Sequence, residues 1–323
     1  MIAAAFILTV ALFVASSDSD VAKLIDLCES REYRYTGGDY KDHVFRYRLF
    51  VPRHLDPTKR YPILVWLHGS SERGTDNRGS ARRGVLALGD PEHIEECRFF
   101  LLSTQAPKNS GWTFGPGGML SVTLEILQKT MRECPIDPNR VYLSGVSFGG
   151  SGCWTMAAEH PELFAAIAPM AGRGGGMLPT DKLTKIPIWV FHNQDDVGLP
   201  PSSVQRTVAA LQEAGCNVEL ALLPQAGHDC WTAAFQEYGV MPWLLEQRRD
   251  ASVCWTPPGC RPWRWWHLLI LPCAVLIFVR CAWHFKQHRH KASPAAMPPE
   301  HETAEMDFFI GPASPECEDP SKQ

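Results

Sequence analysis

Three side-chain types that together can perform acyl transfer follow one another along this chain of 323 residues. Ser147 stands at the centre of a G-x-S-x-G pattern over residues 145–149, where small residues allow a sharp turn that exposes the hydroxyl. Asp195 and Asp196 come later, and His228 comes last. A serine hydroxyl becomes a nucleophile when a histidine accepts its proton and a carboxylate orients that histidine. The sequence therefore predicts a nucleophilic serine site in which either aspartate serves as the acid.

Each of these residues comes shortly after an apolar run that is typical of a buried strand. The runs that precede the serine, the aspartates and the histidine are residues 141–145, 186–192 and 217–223. Further strands are predicted at residues 42–51, 62–67, 98–103 and 165–168, and helices at 119–133, 151–159, 202–214 and from 231 to about 248. Strands that alternate with helices predict an α/β fold with a mostly parallel sheet covered by helices on both faces.

Composition limits the function classes. The chain is 45% hydrophobic and 20% charged, which suits one globular domain over residues 18–250. A net charge of -4 gives no basic surface, so no nucleic acid partner is expected. No cysteine and histidine spacing fits zinc, and neither a metal nor a cofactor is expected. Eight cysteines before residue 263 allow up to four disulfides in an oxidising compartment, with buried thiols as the alternative.

Both ends of the chain differ in composition from the middle. Residues 1–15 are apolar and are followed by the small residues Ser16 and Ser17, which predicts a signal peptide over residues 1–17. Because no basic residue precedes Lys23, an uncleaved anchor or a misplaced start codon is the alternative. Residues 251–262 form a proline-containing linker, and the tryptophan-flanked stretch 263–284 predicts a transmembrane helix, with an interfacial or core helix as the alternative. The basic residues that follow place the tail 285–323, expected to be disordered, in the cytoplasm and the domain outside it.

Four separated motifs then carry a resemblance to a known family. They are LHGSSERGTDN at 67–77, VYLSGVSFGG at 141–150, VFHNQDD at 190–196 and GHDCW at 227–231. Together they resemble the bacterial esterase and predicted-peptidase branch of the α/β-hydrolases, near the carboxylesterase/phospholipase and dienelactone hydrolase groups. The resemblance implies the α/β-hydrolase fold, whose catalytic residues run in the order serine, acid, histidine.

The resemblance also assigns roles to individual residues. The family acid motif H-G-x-x-D aligns with residues 192–196 and selects Asp196, while Asn193 in place of the glycine keeps Asp195 as a second candidate. The backbone N–H groups of Ser70 and Phe148 are the expected oxyanion donors.

Other residues near these motifs are open to two interpretations. Glu72 and Arg73 either shape the pocket or form an exposed ion pair, and Trp112 and Trp231 either line the pocket or belong to the core. His68 and His192 are interpreted as polar residues that fix strand ends.

The expected protein is thus a membrane-anchored, exported serine hydrolase that cleaves small carboxylic esters through an acyl-enzyme. A serine peptidase that acts on short peptides is the alternative, because the same triad can cleave amides. A non-catalytic, membrane-tethered binding protein on the same fold is a third possibility, because fold alone does not secure function.

Overall fold

The computed structural model describes residues 17–174, 179–224 and 226–249, all within the compact unit Met1–Cys260. Eight strands form one sheet in the order β1-β2-β4-β3-β5-β6-β7-β8. The strands are β1 (Glu29–Tyr35), β2 (His43–Phe50), β3 (Tyr61–Leu67), β4 (Phe100–Thr104), β5 (Ile136–Val146), β6 (Ala166–Met170), β7 (Ile188–Asn193) and β8 (Val218–Leu223). The pairs β1/β2 and β2/β4 are antiparallel, and every pair from β4 to β8 is parallel. The carboxyl ends of β5, β7 and β8 therefore lie along one edge of the sheet.

Helices cover both faces of this sheet. They are α1 (Asp18–Leu27), α2 (Leu120–Glu133), α3 (Phe148–Glu159), α4 (Thr180–Leu183), α5 (Ser202–Glu213), α6 (Trp231–Gln236) and α7 (Val240–Glu246), with short 3₁₀ turns between β3 and β4. Every residue of β3 is buried. Val65 and Leu67 join one hydrophobic cluster with α2, α3 and α5, whereas Leu64 and Trp66 join a second cluster with α1, α6 and α7. This alternation is what a strand buried on both faces requires.

The predicted strands and helices are confirmed, with the following differences. Helices α1 and α4 and strand β1 were not predicted, because their residues are too polar or too few to show a clear period. The last predicted helix is two helices, which separate at Gly239 with φ +69°. Strand β5 begins at Ile136, earlier than predicted. Pro201 occupies the N-cap position of α5, and no side chain caps this helix.

The predictions for the two chain ends lie outside the described residues. Ser17, the last residue of the predicted signal peptide, caps α1 in a reciprocal arrangement with Asp20. Within the described part of the chain, no helix has the length and apolar character needed to cross a membrane. The linker, the predicted span at 263–284 and the tail stay predictions. The six described cysteines are free thiols: Cys28, Cys97, Cys134, Cys153, Cys216 and Cys230.

Candidate active site

Ser147 lies on a strained turn between β5 and α3. Its backbone has φ +55° and ψ -114°, a conformation that a non-glycine residue rarely adopts. The turn is held because the Ser147 N–H donates to Met170 O at 2.8 Å and the Ser151 N–H donates to Ser147 O at 3.0 Å. This is the geometry of a nucleophile elbow, in which the serine stands above the end of the sheet.

The glycines that flank Ser147 are needed because other backbone passes very close. A Cβ at Gly149 would lie 1.9 Å from Leu67 O, and a Cβ at Gly145 would lie 2.5 Å from the same oxygen. Neither distance leaves room for a side chain. Because the turn packs against the end of β3, Ser147 is brought next to the loop that follows that strand: a Cβ built on Gly69 would lie 3.7 Å from Ser147 Cβ.

Asp196 and His228 form the direct contact that the sequence predicts. His228 Nδ1 lies 2.6 Å from Asp196 Oδ2. The other carboxylate oxygen of Asp196 accepts the N–H groups of Gly198 at 3.0 Å and Leu199 at 2.9 Å. Burial acts to raise the pKa of Asp196, but hydrogen bonds from His228 and the Leu199 N–H outweigh it and leave the pKa lowered. Asp196 is therefore a buried, ionised carboxylate that orients the imidazole.

Asp195 has a different place. Its carboxylate accepts the N–H groups of Ala226 at 3.2 Å and Gly227 at 3.1 Å. It therefore holds the histidine loop, which is the loop with His228 between β8 and α6. Asn193, which departs from the family glycine, also reaches this loop because its Nδ2 donates to Gly227 O at 3.0 Å. Both side chains hold the histidine loop to the acid loop, which is the loop with Asp195 and Asp196 between β7 and α5. Asp196 is the carboxylate that contacts His228.

His68 and His192, predicted to fix strand ends, bind the backbone of loops at the ends of β3 and β7. His192 Nε2 lies 2.7 Å from Leu199 O and 3.4 Å from Asp196 Oδ2, which supports the acid loop. His68 Nε2 accepts the Ala106 N–H at 2.9 Å, so its proton lies on Nδ1, which donates to Gly69 O at 2.7 Å. Burial lowers the pKa of His68 to about 4 and keeps the ring neutral.

The turn at Gly69 carries the first expected oxyanion donor. The bond from His68 to Gly69 O fixes the peptide plane whose other end is the Ser70 N–H. Phe148 is the first residue of α3, so its N–H has no partner within the helix. Within the described residues, neither of these two N–H groups donates a hydrogen bond to another protein group. Phe148 follows Ser147 directly at the start of α3, and the Ser70 N–H belongs to the turn whose Gly69 lies next to Ser147.

Glu72 and Arg73 do not pair with each other. Glu72 is buried, and its Oε1 lies 2.9 Å from Arg83 Nη1. Arg73 donates to Ser70 O at 3.1 Å, and its guanidinium carbon lies 5.6 Å from the centre of the Phe148 ring. The exposed ion pair considered from the sequence is thus wrong. No motif in the sequence singles out Arg83, which comes from a 3₁₀-rich loop.

The two tryptophans differ in their surroundings. Trp112 is 2% exposed, its Nε1 donates to His68 O at 2.8 Å, and it packs against the His68 ring. Trp231 is 8% exposed and meets the His228 ring edge to face, with the ring centres 5.7 Å apart. Trp112 therefore belongs to the core and supports the turn after β3. Trp231 packs against the ring of His228.

Comparison with known proteins agrees with this geometry. Residues 119–237, which include Ser147, Asp196 and His228, match the dienelactone hydrolase family. Poly(3-hydroxyalkanoate) depolymerase C of Paucimonas lemoignei is 31% identical over 123 residues, 34% of this chain and 28% of that protein. Feruloyl esterase B of Thermothelomyces thermophilus is 27% identical over 144 residues, 42% of this chain and 46% of that protein.

A solved structure extends the likeness beyond the matched segments. The crystal structure of a thermostable esterase aligns with a TM-score of 0.64 at 33% identity, covering 70% of this chain and 64% of that one. The chain spans less than half the length of the two curated relatives named above. Fold, elbow and sequence likeness agree: the chain belongs to the α/β-hydrolase superfamily, and its residues 119–237 match the dienelactone hydrolase family.

Proposed function

We propose that this protein is a serine hydrolase that cleaves carboxylic esters with Ser147, His228 and Asp196. The observation that carries the proposal is the 2.6 Å contact between His228 Nδ1 and the buried Asp196 carboxylate, on loops that follow neighbouring strands. With Nδ1 donating to Asp196, the Nε2 atom of His228 has a lone pair and can accept a proton. Ser147, on its strained turn, is the hydroxyl that supplies this proton.

The reaction has two steps. In the first, His228 takes the Ser147 proton while Oγ bonds to the ester carbonyl carbon, and the alcohol then leaves with the proton held on His228. In the second, His228 takes a proton from water, the hydroxide oxygen bonds to the acyl carbon, and the Ser147 Oγ leaves and recovers the proton. The carboxylic acid is released and the free serine is regenerated.

Negative charge develops on the carbonyl oxygen in both steps. The N–H groups of Ser70 and Phe148 are proposed to stabilise this oxyanion, because each lies on a fixed backbone segment next to Ser147 and neither has another described partner. Both donors are oriented before substrate binds, one through the His68 bond to Gly69 O and the other through the start of α3. Such orientation avoids the cost of rearranging donors during the reaction.

The names of the relatives support ester cleavage before amide cleavage. One is a feruloyl esterase, one a polyhydroxyalkanoate depolymerase, and the solved structure is that of an esterase. We therefore propose a small or accessible carboxylic ester as the substrate class, and keep peptide hydrolysis as an outcome to be measured.

The test uses the full chain, Ser147→Ala and the matched control Ser202→Ala, whose serine is exposed at the start of α5. We expect hydrolysis of p-nitrophenyl acetate and butyrate, and labelling by a fluorophosphonate probe, by the wild type and Ser202→Ala only. Equal rates or equal labelling for Ser147→Ala would overturn the assignment of the nucleophile. Faster cleavage of matched p-nitroanilides than of the esters would favour a peptidase.

A further inference from the structure

A buried carboxylate lies behind the turn that carries the Ser70 N–H. The Glu72 residue is 6% exposed, and its Oε2 accepts the Gly69 N–H at 2.9 Å. The position that a Cβ would take on Gly69 lies 3.6 Å from Glu72 Oε2 and 3.7 Å from Ser147 Cβ. Only the thickness of this turn therefore separates a carboxylate from the nucleophile. The ester reaction as proposed does not use Glu72.

A negative charge at this place needs a compensating cation. An uncompensated carboxylate close to a developing oxyanion would repel it, most strongly in a site that excludes water. Burial also disfavours the ionised form and raises the pKa of Glu72, although Arg83 and the Gly69 N–H act against this. Arg83 supplies the cation, because its Nη1 lies 2.9 Å from Glu72 Oε1.

Arg83 also reaches the histidine side of the site. Its guanidinium carbon lies 4.7 Å from the centre of the Trp231 ring, a distance typical of a cation–π contact. Trp231 in turn meets the His228 ring edge to face at 5.7 Å between ring centres. A continuous set of contacts thus runs from the Gly69 turn through Glu72, Arg83 and Trp231 to His228.

We propose that Arg83 is a positioning residue that neutralises Glu72 behind the oxyanion turn and ties this turn, through Trp231, to the histidine loop. The inference rests on the proposed serine hydrolase function. It makes Glu72 and Arg83 a coupled pair: Glu72 fixes the Gly69 N–H, and Arg83 allows Glu72 to do so without opposing the oxyanion charge. Removing the Arg83 charge alone should therefore lower kcat more than removing the charges of both Arg83 and Glu72.

The test is a double-mutant cycle of Arg83→Met, Glu72→Gln and the combined variant, with steady-state kinetics on p-nitrophenyl acetate. We expect Arg83→Met to lower kcat on the order of tenfold with little change in KM, below the 10²–10³-fold loss on removing a direct oxyanion donor. Glu72→Gln should lower kcat less than Arg83→Met does, because the Gln carbonyl still accepts the Gly69 N–H. The combined variant should recover most of the kcat that Arg83→Met loses.

Three controls separate this role from general loss of structure. Arg82→Met removes a neighbouring exposed arginine that pairs with Asp18 at 3.3 Å, and should keep wild-type kinetics. Arg83→Lys keeps the charge and should rescue most of kcat. Thermal melting of each variant checks that the comparison is made between folded proteins.

Each outcome is decisive. Additive losses in the combined variant, or an Arg83→Met effect confined to KM or to melting temperature, would overturn the inference while leaving the ester hydrolase intact. A folded wild type that neither hydrolyses the ester nor reacts with a fluorophosphonate would contradict the proposed function itself.

Discussion

Replacing Asp196 by asparagine should nearly abolish catalysis, and the hydrogen bonds around this side chain say why. One carboxylate oxygen, Oδ1, accepts the N–H groups of Gly198 and Leu199 at 3.0 and 2.9 Å. In the asparagine variant the side-chain carbonyl must take this place, because an NH₂ group there would face two donors. The NH₂ group then occupies the Oδ2 position and donates to His228 Nδ1.

The proton of His228 is thereby moved to Nε2, and the ring cannot accept the Ser147 proton. We expect kcat to fall by about 10⁴-fold at neutral pH, the loss known for the same change in another Ser-His-Asp enzyme. This loss corresponds to about 5 kcal/mol of transition-state stabilisation. The assay is p-nitrophenyl ester hydrolysis under saturating substrate, with denaturant unfolding to confirm that the fold is kept.

The matched control is Asp195→Asn. Among the described residues, its carboxylate accepts backbone N–H groups of the histidine loop, which an asparagine carbonyl also accepts, so kcat should stay within a few-fold of wild type. If Asp195→Asn lost as much kcat as Asp196→Asn, or if Asp196→Asn kept a tenth of wild-type kcat, the assigned acid would be wrong.

Three further predictions concern the supporting structure. Gly149→Ala places a Cβ 1.9 Å from Leu67 O and should destabilise the fold by more than about 3 kcal/mol, which an unchanged melting temperature would contradict. His68 has a pKa of about 4 in the folded protein and 6.5 in the unfolded chain, so it binds fewer protons when folded. The free energy of unfolding should therefore fall by up to about 3 kcal/mol as pH drops from 6.5 towards 4. Denaturant unfolding across this pH range should show that the stability of His68→Gln falls less steeply than that of the wild type. Equal pH dependence for the two proteins would refute this prediction. Asn193→Gly removes the bond to Gly227 O and should cost about 1 kcal/mol in chemical unfolding, whereas a gain in stability would show that the bond is not needed.

Much of the architecture is readable from the sequence because its strands are short, strongly apolar and bounded by turn residues. The all-buried run of β3 and the strand-turn-helix around Ser147 are examples. The sequence did not predict helix α1 and strand β1, because both are half exposed and polar and therefore show no clear apolar period. Which of their residues are buried depends on partners far away along the chain. Gly239 and Pro242 both lie at the break between α6 and α7, but the left-handed conformation of Gly239 that separates the two helices is seen only in the structure.

The sequence by itself determined the order of serine, acid and histidine and their places after three strands, since local apolar runs and turn residues encode those elements. Only the tertiary structure decided between the two aspartates, because adjacent carboxylates in one loop can face opposite sides: Asp196 contacts His228, and Asp195 holds the loop backbone. Tertiary structure also decided the partner of Glu72. Arg83 is eleven residues away along the chain, and no local pattern encodes an ion pair that forms only when a loop folds back over the sheet end.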